Sequence, residues 1–91
     1  MEFEWNTHKA KLNERKHGVS FDEAAEAFYD KNAVELFDET NSDEEIRYQI
    51  VGNSSQKLIF VAYTERNDRI RIISARKANA RHIRIYNEQN S

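Results

Sequence analysis

The chain has 91 residues, enough for one small domain with a thin core, so a deep cavity for a large organic cofactor is not expected. It contains no cysteine, which excludes thiolate metal sites, disulfides and cysteine redox chemistry. The net charge is −2, yet residues 1–68 hold 8 basic and 15 acidic side chains, whereas residues 69–91 hold 6 basic side chains and one acid. This asymmetry predicts either a surface that faces a polyanion or neutralisation of one half of the fold by the other.

The chain shows no sign of export or membrane insertion. No apolar run approaches the roughly 20 residues that a membrane helix needs. The start of the chain, MEFEWN, is acidic and aromatic, which is unlike a signal peptide. We therefore predict a single cytoplasmic domain, residues 1–91, without membrane contact.

The first third of the chain predicts two helices. Asn6 is a suitable N-cap for a helix over residues 7–16, which ends before Gly18, a residue type favoured just after a helix. Ser20 and Glu23 have the spacing of a capping box, and the apolar residues that follow recur at helical spacing. These two helices are separated by only a few residues and form a tight corner.

The middle of the chain predicts strands. The segments AVELF, IRYQIV, KLIFVAY and RIRIIS have strand patterns, and EFEW near the start is either a short strand or an apolar plug. DETNSDEE predicts an acidic loop, GNSSQ a turn containing Gly52, and Ser74 a cap for a last helix over residues 75–88. The fold class is therefore α+β: two N-terminal helices, a curled three- to four-stranded antiparallel sheet and one C-terminal helix.

The polar pair Asn67 and Asp68 predicts a two-residue hairpin turn. In that register three pairs lie opposite each other: Arg66 with Arg69, Thr64 with Arg71, and Ala62 with Ile73. Three arginines then share one face of the hairpin, where like charges repel. Either acids neutralise them, from Glu65, Asp68 or the acidic loop, or a bound anion does.

A basic run, RIRIISARKANARHIRIY, extends from this hairpin to residue 86 and contains five arginines and a lysine but no acid. The fork of an arginine suits phosphate oxygens, so the run is a candidate surface for a nucleic-acid backbone. Four aromatic side chains are candidates for stacking on bases: Tyr48, Tyr63, Tyr86 and Trp5. The alternative is a solvated basic strand and helix.

Several short motifs occur in order along nearly the whole chain: FEW at 3–5, KHGV at 16–19, TE at 64–65, RIISAR at 71–76, and the single residues Lys9, Asn13 and Tyr86. Together they resemble the BrnT family of bacterial toxins. The resemblance implies a RelE/ParE-like fold and a ribonuclease that inhibits translation without a metal or organic cofactor. It also implies a BrnA-like antitoxin with a ribbon-helix-helix domain.

The same resemblance implies how the partner complex behaves. Toxin and antitoxin would form a complex, for example a heterotetramer, that represses its own operon and reaches operator DNA only through the antitoxin. The chain departs from the family pattern at His82, near a usual glutamate, and has fewer arginines around Ala80, Ile83 and Ile85. The alternative function is an inactive toxin-like module that acts only as co-repressor of a DNA-binding antitoxin.

Metal-free RNA cleavage needs a base for the 2′-hydroxyl, positive charge around the phosphate and an acid for the 5′-oxygen. Six side chains are the catalytic candidates: Arg66, Arg71, Arg76, Glu65, His17 and Tyr86. Six more are the RNA-binding candidates: Lys9, Arg47, Arg69, Lys77, Arg81 and Arg84. Structural alternatives exist for His17, which suits the negative end of the first helix dipole, and for Tyr86, which can seal the core. No metal ligands are predicted.

Overall fold

The computed structural model describes residues 1–38, 45–55 and 57–91. In these ranges the elements follow each other as β1 (Glu2–Glu4), α1 (Thr7–His17), α2 (Phe21–Ala27), β2 (Val34–Asp38), β3 (Arg47–Ser54), β4 (Lys57–Arg66), β5 (Arg69–Lys77) and α3 (Ala80–Gln89). The predicted α+β class is confirmed. Most of the predicted acidic loop lies outside the described residues.

One mixed sheet organises the chain, with the strand order β1-β5-β4-β3-β2. The pairs β2–β3, β3–β4 and β4–β5 are antiparallel, as predicted, whereas β1 pairs with β5 in parallel. The prediction of three or four antiparallel strands therefore holds for β2 to β5, and the sheet has one further, parallel strand, which the sequence left open between a strand and an apolar plug. The EFEW segment supplies it, and β1 joins the sheet beside the strand that is most distant from it in sequence.

Local capping sets the two N-terminal helices, as predicted. The side chain of Asn6 accepts a hydrogen bond from the backbone of Lys9 at 3.0 Å, and α1 ends at Gly18, whose φ of +70° favours glycine. Ser20 and Glu23 form the predicted capping box, with bonds of 3.0 and 3.1 Å.

The predicted start of the last helix is wrong. Ser74 does not cap a helix, because β5 continues to Lys77 and the residues from Ser74 onward pair with β4. The early part of β4 needs backbone partners, and this long-range pairing overrides the local capping signal. The helix begins instead at Ala80, where the side chain of Asn79 accepts from the backbone N–H of His82 at 2.9 Å.

The predicted turn around Gly52 is also shorter than expected. β3 continues through Ser54, so Gly52 lies inside a strand rather than in the turn. A Cβ atom at this position would overlap the backbone carbonyl of Ala27 at the end of α2. Glycine is therefore required here for close approach of helix and strand.

The hydrophobic core lies between one face of the sheet and the helices α1 and α2. Its buried members from the strands are Ile50, Ile59, Val61, Tyr63, Ile72 and Ala75. The helix α3 packs against the opposite face, where His82 stacks on Phe60 with ring centroids 4.1 Å apart. None of the helices in the described part of the chain is long and apolar enough to cross a membrane.

Replacing Gly52 by alanine is expected to destabilise the fold by roughly 1–3 kcal/mol, because the added methyl group forces β3 away from α2. Urea denaturation measures the loss. Gly18→Ala is the comparison variant, because a Cβ atom at that position meets no neighbour. Its loss of stability, about 1 kcal/mol, comes only from the positive φ. Equal stability of Gly52→Ala and wild type would contradict the close approach.

Candidate functional site

The tip of the β4–β5 hairpin has the predicted turn and register. Asn67 and Asp68 have φ angles of +50° and +64°, as a two-residue turn between twisted strands requires. Arg66 lies opposite Arg69, and Thr64 lies opposite Arg71. The predicted clustering of arginines at the tip is confirmed.

Farther along the hairpin the predicted register is wrong. Ala62 lies opposite Ser74 rather than Ile73, because a bulge adds one residue to β5 between the pairs of Tyr63 and Ala62. Side chains alternate along a strand, so residues five apart would normally point to opposite faces. The extra residue brings Arg76 to the same face as Arg71.

Five arginines share the face of the sheet that carries α3, and we call them the arginine face: Arg47, Arg66, Arg69, Arg71 and Arg76. Arg47 lies opposite Thr64, which in turn lies opposite Arg71, so three adjacent strands carry one transverse row. Adjacent strands are about 4.8 Å apart, which separates the two arginine backbones by roughly 10 Å. The small residues Ala62 and Ser74 lie opposite each other beyond this row.

Carboxylates pair with three of these arginines: Arg66 with Glu45 at 3.0 Å, Arg69 with Glu2 at 3.3 Å, and Arg71 with Glu4 at 2.8 Å. The acidic loop was one of the sources of neutralising acids that the sequence left open, and its last residue, Glu45, pairs with Arg66. The carboxylates from β1 were missed by sequence reasoning, which did not pair that strand with β5. The alternation of acids and apolar residues in EFEW was the available signal.

Arg47 and Arg76 have surroundings that differ from those of the three arginines in ion pairs. The Nε atom of Arg47 is buried and has no hydrogen-bond acceptor among the described residues. The guanidinium of Arg76 lies 5.1 Å from the ring centroid of Phe60, a cation–π contact. Phe60 is therefore the aromatic ring of the arginine face, and sequence reasoning overlooked it.

His82 is a buried part of the helix start. Its Nδ1 atom accepts from the backbone N–H of Asn79 at 3.2 Å, the role that a glutamate takes in a capping box. Burial, followed by the nearby charges of Arg76 and Arg81, lowers the pKa of His82. The side chain is therefore neutral and holds its helix in place.

Tyr86 lies away from the arginine face. Its hydroxyl donates to Asp30 at 2.7 Å, and the same carboxylate accepts from the backbone N–H groups of Asn32 and Asn53. Burial and the Asp30 carboxylate raise the pKa of Tyr86, so the proton stays on the phenol. The contact joins α3 to the turn after α2.

The remaining candidate residues lie on other surfaces. Glu65 and Lys77 point to the face that carries α1 and α2, as strand alternation requires. Arg81 and Arg84 are exposed on α3, beside the arginine face. Lys9 and His17 line a groove beside α1.

The other aromatic candidates for base stacking belong to the core face. Tyr48 stacks on Tyr63 with ring centroids 5.5 Å apart, and Trp5 meets the edge of Phe21 at 6.0 Å. Both contacts stabilise the packing of helices on the sheet. In the described part of the chain, no three His, Asp or Glu side chains group closely enough to hold a metal ion.

A comparison with protein families places the chain in a known family. The family described as the ribonuclease toxin BrnT of type II toxin–antitoxin systems matches residues 5–82. The chain belongs to the BrnT family. The matched range holds every residue of the arginine face, and the family is that of a ribonuclease toxin with an antitoxin partner. No curated protein matches this BrnT chain.

The lowered pKa of His82 predicts a pH dependence of stability. Below the ordinary histidine pKa of 6.5, the unfolded chain binds a proton at this site before the folded chain does, so stability falls as the pH drops. His82→Gln keeps an acceptor for Asn79 but does not titrate. We expect a flatter dependence of unfolding free energy on pH below 6.5 in this variant.

Urea denaturation at several pH values measures this slope. His8→Gln is the matched control, because His8 is exposed in the first turn of α1. It should keep the wild-type slope. A His82→Gln variant with an unchanged slope would contradict the burial of a neutral imidazole.

Proposed function

We propose that this BrnT protein is a metal-independent endoribonuclease that binds RNA across the arginine face and inhibits translation by cleaving it. The observation that carries the proposal is the convergence of five arginines from three strands on one face of the sheet. Their guanidinium groups provide positive charge where a cleaved phosphate becomes more negative. In this proposal the arginine charges stabilise the phosphate in place of the metal cation of metal-dependent nucleases.

The contacts around each arginine indicate a different role in RNA binding. Arg66 and Arg71 are held by carboxylates, so they are oriented before RNA arrives and exchange or share these acids when it binds. Arg47 extends the row onto β3, and its buried Nε donor has no acceptor among the described residues. Arg76, over the ring of Phe60, marks the end of the face nearest α3.

Glu4 is the proposed general base. None of the described histidines is available for this role, because His82, which stacks on Phe60 of the arginine face, is buried in its helix cap and His8 and His17 belong to α1. Glu4 lies on this face, is about 30% exposed and contacts Arg71 at 2.8 Å. A carboxylate beside the phosphate-binding arginine is placed to take the 2′-hydroxyl proton.

Membership in a family of type II toxins supports a proposal for the biological setting. The proposed partner is a BrnA-like ribbon-helix-helix antitoxin, which neutralises the toxin in the cytoplasm. The complex, a toxin–antitoxin heterotetramer, represses its own operon and contacts operator DNA through the antitoxin alone. RNA is the substrate of the free toxin.

The arginine face is tested by the double variant Arg66→Ala, Arg71→Ala. We expect at least a hundredfold loss of RNA cleavage by the purified toxin, because removing one donor of this kind typically costs that much. Induction of the variant without antitoxin should leave growth and bulk translation unaffected. Lys31→Ala, an exposed lysine in the turn after α2, is the charge-matched control and should cleave normally.

The role of Glu4 is tested separately from RNA binding. Glu4→Gln is expected to abolish cleavage while binding of 2′-O-methyl RNA, measured by fluorescence anisotropy, stays within a few fold of wild type. Glu2→Gln changes the neighbouring carboxylate on the same strand and should retain cleavage. Cleavage by wild type in the presence of EDTA tests metal independence, and its loss there would overturn that part of the proposal.

A second candidate function is a non-catalytic partner of a DNA-binding antitoxin. One observation favours it: His82 and Tyr86 are committed to structural hydrogen bonds, His8 and His17 lie on α1, and Glu4 is held in an ion pair with Arg71. This module would bind antitoxin tightly and never cleave RNA. Intact RNA and normal growth after induction of wild type alone would select this function.

A further inference from the structure

A groove of about 660 Å³ lies between α1 and the bulged part of β5. Leu12 from the helix and Ile73 from the bulge provide its apolar surface, and Lys9, Arg15, Lys16 and His17 complete its rim. The lining shares no residue with the arginine face. The groove is therefore a separate surface.

In α1, the helix beside the groove, a polar side chain is buried and an apolar side chain is exposed. Leu12 and Ala10 are the apolar side chains of α1, yet Leu12 is 46% exposed while its neighbour Asn13 is only 8% exposed. Asn13 is satisfied there, because its amide donates to the carbonyls of Val19 and Ala75 and accepts from the Ala75 N–H. The fold thus buries the polar residue and leaves the leucine to the groove.

The charge of the rim has one sign. Among the described residues that line the groove none is acidic, and Lys9, Arg15 and Lys16 form no ion pair within the described part of the chain. The helix dipole explains basic residues in the last turn of α1. It does not explain Lys9, which lies in the first turn, where a positive charge is disfavoured.

These features fit a protein segment better than RNA. The described lining contains no Phe, Tyr or Trp on which bases stack, and its exposed floor is aliphatic. Apolar surface rimmed by charge is typical of a site for another protein chain. A complementary segment would carry carboxylates for the rim and an aliphatic side chain for the floor.

We propose that this groove binds an acidic segment of the antitoxin. In this complex an aliphatic side chain of the partner packs on Leu12 and Ile73, and its carboxylates pair with Lys9 and Lys16. The proposal rests on the toxin–antitoxin partnership of the family and does not require RNA cleavage. It assigns antitoxin binding and RNA binding to different surfaces of the toxin.

The test measures binding of the purified full-length toxin to its cognate antitoxin by biolayer interferometry. Leu12→Asp and the double variant Lys9→Glu, Lys16→Glu are each expected to raise Kd at least tenfold. Lys11→Glu, on the same helix but outside the groove, should stay within twofold of wild type. Circular dichroism checks that each variant is folded. If Leu12→Asp does not fold, the double variant, whose substitutions are on the exposed surface, is sufficient for the test.

RNA binding of the same variants separates the two functions. Wild-type RNA affinity together with weakened antitoxin binding supports the proposal, whether or not the toxin cleaves. Wild-type antitoxin affinity in the double variant would overturn it. Loss of RNA affinity with retained antitoxin binding would also overturn it, because the groove would then be a surface for RNA.

Discussion

Arg66, Arg69 and Arg71 lie on neighbouring strands at the tip of one hairpin, and three positive charges this close repel each other. The site depends on the carboxylates that offset this repulsion. Two of them arrive with β1, whose parallel pairing puts its acids beside Arg69 and Arg71, and the third comes from the segment before β3. The N-terminal strand therefore completes both the sheet and the electrostatics of the face.

The basic residues divide into two surfaces that composition alone does not separate. On the arginine face, guanidinium groups lie over strands, beside carboxylates and the ring of Phe60. Beside α1, basic side chains surround the exposed Leu12 and the half-buried Ile73. The first arrangement suits a phosphate backbone and the second suits a protein chain, and we therefore propose that substrate and partner contact the toxin through different chemistry.

The features that depend on residues close together in the chain were predicted correctly from the sequence. The caps at Asn6 and Ser20 and the hairpin turn at Asn67 were predictable because the groups that form them are neighbours in the chain. Long-range pairing decided the rest. The extension of β5 past Ser74, the parallel partner of β5 and the committed role of Tyr86 depend on residues distant in sequence, so no local pattern reveals them.

The bulge in β5 also limits which insertions and deletions this strand can accept. Arg71 and Arg76 share a face only because one surplus residue sits between their paired positions. Parity matters here more than distance: gain of a single residue with the bulge retained would turn Arg76 toward α1 and α2 and Ala75 out of the core, whereas loss of the surplus residue, Ile73, would restore regular alternation and leave both side chains in place. Insertions or deletions of two residues would preserve both orientations. This short segment therefore tolerates substitution of side chains, or loss of its surplus residue, far better than the gain of one residue.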